Sequence, residues 1–329
     1  LQREIHPWRD WSSYRAIHRA LKAFSPDVVH THSAKAGILG RRAAWQQGIP
    51  AVVHTVHGAP FHAYETWFDR RFAQFCERDA AARCHALISV ADAMTRLMVD
   101  AHIAPREKFT TIYSGTEVEP FLAAEQLRDA ARKRWGFSTE HVVVGKIARF
   151  FPLKGHEFLF EAAQAAVQEE PHLRFLFVGD WILREHYETQ ARRLGLERHI
   201  TFTGLLPRDQ IATAISATDM VVHTSLREGL ARVLPQALLA NRPVISFDLD
   251  GAPEVVIDGK TGYLVPPQDV PKLTQRILQL ASAPELRVTM ADAGRASCRE
   301  RFDHGHMTQQ IRDLYERVLR QSRGVPVAE

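Results

Sequence analysis

The chain is predicted to be α/β, built from two successive parallel sheets wrapped in helices. Three observations predict this. Short apolar runs that read as buried strands alternate with amphipathic helical patterns along almost the whole length, as in repeated βαβ units. The alternation breaks once, at a charged helical stretch over 122–139, and then resumes. The 329 residues suffice for two domains with sizeable cores.

In order, Asp10 is expected to cap a helix over 11–24, which carries apolar residues at helical spacing. Strands are expected at 27–32, 51–56, 86–90 and 109–113, with helices at 34–47, 65–83 and 91–101 between them. The hinge is placed at Gly136, which ends the charged stretch. Beyond it, strands at 142–148, 173–178, 199–202, 220–223, 244–247 and 263–265 alternate with helices at 157–168, 183–193, 209–217, 228–240 and 270–281. That second series is a complete Rossmann-like domain. Helices at 284–302 and 306–322 finish the chain.

Composition narrows the class. No run of 18 apolar residues occurs, so no membrane-spanning helix is expected. No secretory signal is visible at Leu1. Cys76, Cys84 and Cys298 lack metal-site spacing, and Cys76 and Cys84 lie too far apart on one predicted helix to bridge. A reducing cytoplasm fits. The net charge of +4 and pI of about 9.1 are mildly basic. With no Lys/Arg block or RNA-binding motif, nucleic acid is not an expected partner.

Two loops concentrate chemistry. Residues 218–223 read as a buried strand, followed by Thr224-Ser225 and, near Glu228, an expected helix. Glu228 and the amides of Gly229 and Leu230 would then sit at a helix entrance, where free N–H groups and the dipole attract anionic, oxygen-rich ligands. Eight positions on, Gln236 would share its helical face with Glu228. Earlier, the strand at 142–148 runs into Arg149 and Lys154, with Gly155 ahead of another helix. A guanidinium fork and an ammonium on one strand-to-helix loop suit a diphosphate.

In order and spacing, Arg149…Lys154-Gly155, Val178-Gly179-Asp180, Phe202-Thr203-Gly204, Thr224-Ser225…Glu228-Gly229…Gln236-Ala237, Pro243-Val244-Ile245 and Gly251-Ala252-Pro253-Glu254 resemble glycosyltransferase family 4. The N-terminal half joins the resemblance through 26–32, Lys35-Ala36-Gly37 and His54-Thr55-Val56-His57-Gly58. The resemblance implies a GT-B fold, two Rossmann-like domains facing a cleft. The expected domains are 1–135, 136–305 and a helix over 306–329 that crosses back to the first. That fold normally opens with a further strand and a glycine-rich loop. Neither precedes Leu1, so the first domain is expected to be incomplete.

The implied activity is retaining, metal-independent transfer of a sugar from a UDP- or GDP-sugar to a glycan or lipid-linked acceptor, in cell-surface polysaccharide synthesis. No cofactor is implied. By the same resemblance Glu228 and His57 belong to the catalytic centre. Glu228 would orient the donor sugar, and His57 would hydrogen-bond near the anomeric carbon. Arg149, Lys154, Gly229, Leu230, Gln236, Gly204 and Asp180 would bind the donor, with the base at the Gly204–Pro207 turn. Ser33, Lys35, Gly58 and Ser114 would form the acceptor side. Gln236 stands where the family commonly has a second carboxylate, and it brings one acceptor oxygen and no charge.

His30 and His32 share a strand face, but no Asp, Glu or Cys at matching spacing supports a metal there. Trp181 departs from the family's usual Gly-Pro and would either stack on a base or fill the core. Phe61, Tyr64, Trp67, Phe68, Phe72 and Phe75, with Arg70, Arg71 and Arg78 among them, fit a helix facing the core. The alternative is a basic aromatic face on the inner membrane surface, receiving a lipid-linked acceptor. Two other classes compete with a transferase: a same-fold sugar-nucleotide isomerase, and a non-catalytic nucleotide-sugar-binding protein.

Overall fold

A computed structural model describes residues 6–62 and 64–324. The expectation about a missing first strand concerns Leu1 and anything before it, outside those residues. The chain divides into two compact units, Leu1–Ser114 with Gly305–Glu329, and Gly115–His304.

The first unit runs α1 (Pro7–Phe24), β1 (Val28–His32), α2 (Ala34–Gln46), β2 (Ala51–Val56), α3 (Trp67–Ala81), β3 (Ala86–Ser89), α4 (Asp92–Asp100) and β4 (Phe109–Thr111). Among the described residues its four strands are parallel and in sequential order. Right-handed crossovers between sequential parallel strands place α2, α3 and α4 on one face. The other face is covered by Leu314 and Val318 of the last helix, which pack against Val53, Ile88 and Ile112. Helix α1 begins four residues before its expected start. Pro7 occupies the first turn, where its missing N–H costs nothing, and His6 is the cap. Asp10 serves from inside the helix by accepting the His6 N–H at 3.0 Å.

Helix α3 overturns the core reading of the aromatic stretch. Phe61 is buried, but Tyr64, Trp67, Phe68, Phe72 and Phe75 are 49–70% exposed. The buried residues of α3 are Glu77, Ala80 and Ala81. The cause is Arg41 on α2, which is fully buried and donates to Glu77 at 2.9 Å. A buried guanidinium must keep its carboxylate partner, so this pair fixes which side of α3 turns inward. The two alanines let the helices approach, and the aromatic side faces out. Cys84 lies beyond the end of α3, not on it.

The second unit begins with α5 (Glu119–Leu122) and α6 (Arg128–Arg134). Then come β5 (Val142–Ile147), α7 (His156–Glu169), β6 (Leu173–Val178), α8 (Arg184–Arg193), β7 (Ile200–Gly204) and α9 (Ile211–Ser216). It continues with β8 (Met220–His223), α10 (Val233–Leu239), β9 (Val244–Phe247), β10 (Gly262–Val265), α11 (Val270–Ser282) and α12 (Pro284–Cys298). The final helix α13 (His304–Ser322) belongs to the first unit from Gly305 onward. All six strands are parallel, in the order β10-β9-β8-β5-β6-β7.

The charged stretch that was expected to close the first domain packs here instead. Asp219, just ahead of β8, accepts from Arg128 at 2.5 Å, Arg132 at 3.1 Å and the Val143 N–H at 2.7 Å. One carboxylate thus ties α6 to β5 and β8. The division falls at Ser114/Gly115, and Gly136 only ends α6.

Candidate active site

Strand order in the second sheet reverses between β5 and β8. In open α/β sheets, ligands bind beyond the carboxyl ends of strands at such a reversal. The loops leaving these two strands carry Arg149 and Lys154 on one side and Thr224 to Glu228 on the other. Gly155 lets them touch. It sits at φ 64, and a Cβ there would lie 1.8 Å from the Thr224 carbonyl oxygen.

Lys154 Nζ forms an ion pair with Glu228 Oε1. Burial pushes the Glu228 carboxyl up, while His223 and Lys154 pull it down, and the pull prevails. His223 is itself driven down to about 3 by burial. Arg149 is exposed. Beneath the pair lies Lys146 of β5, fully buried, whose Nζ donates to Thr224 Oγ1 at 2.6 Å. Thr224 passes a hydrogen bond to the Gly155 carbonyl at 2.5 Å. Burial pushes Lys146 down to about 7. On the far side, Asp250 Oδ2 accepts the Glu228 N–H at 2.7 Å. Lys146, His223 and Asp250 were not among the expected site residues. An unpaired Lys inside the apolar run 142–148 was the one visible signal.

The helical setting of Glu228 is corrected. Helix α10 starts at Val233, five residues later. Pro235 explains why. It has no N–H to donate and is tolerated only in a first turn, so a helix from Glu228 would carry it in its interior. The amides of Gly229 and Leu230 are therefore loop amides. Glu228 and Gln236 share no helical face. Gln236 lies on α10 and reaches Thr116 Oγ1 at 3.4 Å. Gly204 ends β7 at φ 73. Asp180 pairs with Arg184 at 3.3 Å. Trp181 is exposed, which removes the core-filling alternative.

In the first unit, Ser33, His57 and Gly58 line one small cavity with His54 and Glu77, at the carboxyl ends of β1 and β2. His57 Nε2 stands 3.0 Å from His32 Nδ1 with the rings stacked. His30 bonds to Tyr315 at 2.6 Å and to Thr55 at 2.7 Å. Among the described residues, no group of three or more His, Cys, Asp or Glu is arranged to hold a metal ion. Lys35 was expected on the acceptor side. It lies in the first turn of α2 and pairs with Asp10 at 2.5 Å. Ser114 is the last residue before the division.

Two parallel-sheet α/β units with this pair of loops are the architecture of a GT-B glycosyltransferase. Residues 128–297 match the family of glycosyl transferases group 1, and residues 3–120 match glycosyltransferase family 4. The chain belongs to this glycosyltransferase family. It is 27% identical over 325 residues to the Escherichia coli UDP-Gal:alpha-D-GlcNAc-diphosphoundecaprenol alpha-1,3-galactosyltransferase, covering 96% of this chain and 81% of that one. It is 27% identical over 286 residues to the alpha-D-kanosaminyltransferase of Streptomyces kanamyceticus, covering 82% and 71%. The crystal structure of Anabaena HepE in complex with UDP-glucose superposes with a TM-score of 0.80 at 24% identity, covering 94% of this chain and 82% of that one.

The buried histidine beside the pair gives a pH prediction. His156 stacks on Phe150 with centroids 4.4 Å apart, and burial pushes it from 6.5 to about 2. It therefore takes up a proton only on unfolding between those values, and stability present above pH 6.5 is lost as pH falls through that window. In urea titrations from pH 6 to 4, His156→Phe should flatten the fall in unfolding free energy by about 1.4 kcal/mol per pH unit. An unchanged slope would show that His156 is already protonated in the native state.

Proposed function

We propose that the protein transfers a sugar, with retention, from a UDP- or GDP-sugar to a hydroxyl of a glycan or lipid-linked glycan in cell-surface polysaccharide synthesis. The observation that carries this reading is the Lys154–Glu228 pair at the strand-order reversal, with Arg149 on the same loop. Breaking the anomeric bond builds negative charge on the leaving diphosphate. Arg149 and Lys154 offer fixed positive charge for it, so the reading needs no metal ion. When Lys154 turns to the phosphate, the Glu228 carboxylate is released to accept from sugar hydroxyls. Loop amides at Gly229 and Leu230 would add donors beside it.

Gln236 and Asp180 belong at the edges of this site. On the first unit, His57, Ser33, Gly58 and Ser114 are the substrate contacts proposed. Lys35 is engaged by Asp10. The E. coli relative, named for a UDP-Gal donor and a diphosphoundecaprenol-linked acceptor, supports the donor and acceptor classes. HepE, crystallised with UDP-glucose, supports the donor class.

Lys154→Ala should weaken UDP binding in calorimetry by about 1.5–3 kcal/mol, the range for a charge-assisted hydrogen bond. Glu228→Ala should abolish sugar transfer with little change in melting temperature. Undiminished UDP affinity in the first variant would remove Lys154 from the site. Release of free sugar nucleotide regardless of acceptor would favour the isomerase reading.

The outward face of α3 is assigned to an anionic membrane surface that carries the acceptor. Trp67, Phe68, Phe72 and Phe75 bring the apolar area, exposed Arg71 stands among them, and the chain's net charge is +4. Amphipathic helices with aromatic and basic residues lie in the headgroup layer and favour anionic lipid. In co-sedimentation with phosphatidylserine-containing vesicles, Phe68→Glu/Phe72→Glu should lose most binding while remaining folded. Equal sedimentation of variant and parent would contradict the assignment.

A further inference from the structure

We infer that Trp181 is a stacking platform for the base of the donor nucleotide, an inference that rests on the second unit being the donor-binding one. Trp181 follows Gly179-Asp180 at the end of β6, and its side chain is 55% exposed. Its backbone lies at φ 134, which a bulky residue adopts only where its surroundings impose it.

The surroundings do so from several sides. Asp180 Oδ1 accepts the Trp181 N–H at 2.8 Å, and the Trp181 carbonyl accepts from the Arg184 N–H at 3.1 Å. The Phe150 N–H donates to the Asp180 carbonyl at 3.0 Å, and the Gly179 N–H donates to the Gly204 carbonyl at 3.0 Å. A Cβ at Gly179 would stand 2.0 Å from the Ala148 carbonyl oxygen. The turn is thereby stitched to the loop carrying Arg149 on one side and to the end of β7 on the other.

An indole kept in water on a fixed backbone, beside a loop of phosphate-seeking cations, matches a ligand that joins a flat ring to a diphosphate. Ile182, next in the chain, and Leu205, which follows the Gly204 bridged to Gly179, are exposed as well. Stacking is tolerant of base identity, because every base has a π-face. Trp181 therefore supplies affinity for the nucleoside half of the donor. The choice of base falls to hydrogen bonding at the Gly204–Pro207 turn.

Calorimetric titration of pyrophosphate, UDP and GDP into the full chain tests this, with the parent protein, Trp181→Ala and Trp181→Phe. Trp181→Ala should weaken UDP and GDP roughly 5- to 150-fold, the effect of losing one base–aromatic stack. Trp181→Phe should recover most of that loss, and pyrophosphate affinity should be equal in all three proteins. Undiminished UDP affinity in Trp181→Ala overturns the stack and leaves the donor-site reading standing. Parallel losses for pyrophosphate and UDP also overturn the stack, because they mark a deformed loop. A parent protein that binds neither UDP nor GDP defeats the donor-site reading itself.

Discussion

The ion pair between Lys154 and Glu228 is held across the point where the second sheet reverses its strand order, and the surrounding structure is arranged to keep it there. Strand order creates the place: β5 and β8 are neighbours, yet their connections depart to opposite sides. Two loops therefore diverge above one seam, and each presents one member of the pair. Charge alone would not fix the geometry, because a partly exposed pair contributes little stability and is easily rearranged. The fixing comes from beneath. Lys146 reaches Thr224, and Thr224 reaches the Gly155 carbonyl, so the bases of both loops are joined by hydrogen bonds in a dry environment. Asp250 holds Glu228 from the other side.

This support has a thermodynamic cost, which is visible in the titrating groups. Lys146 is pushed down to about 7 by burial, and His156 and His223 are driven well below their ordinary range. Buried polar groups concentrated under one pair of loops are the mark of a site where position is selected over stability.

Most of the fold was legible in the chain. Strands buried on both faces read as continuous apolar runs, and all ten strands among the described residues lie where such runs predict them. The meeting of the Lys154 and Glu228 loops was legible too, because strand ends in a parallel sheet converge whatever the tertiary detail. What sequence could not show depends on contacts between distant residues. The side of α3 that faces inward follows from Arg41 meeting Glu77, 36 positions away. The placement of 115–135 follows from Arg128 and Arg132 meeting Asp219. The start of α10 was different, since Pro235 stated it locally and the helical periodicity of its neighbours hid it.

The central claim is that Lys154 and Glu228 pair with each other only until a donor arrives. A crystal structure of the protein with UDP tests it most directly. The β-phosphate should lie within hydrogen-bonding distance of Lys154 Nζ and Arg149, with the Glu228 carboxylate parted from Lys154 and facing the place of the sugar. UDP bound elsewhere, with the Lys154–Glu228 pair intact, would contradict it.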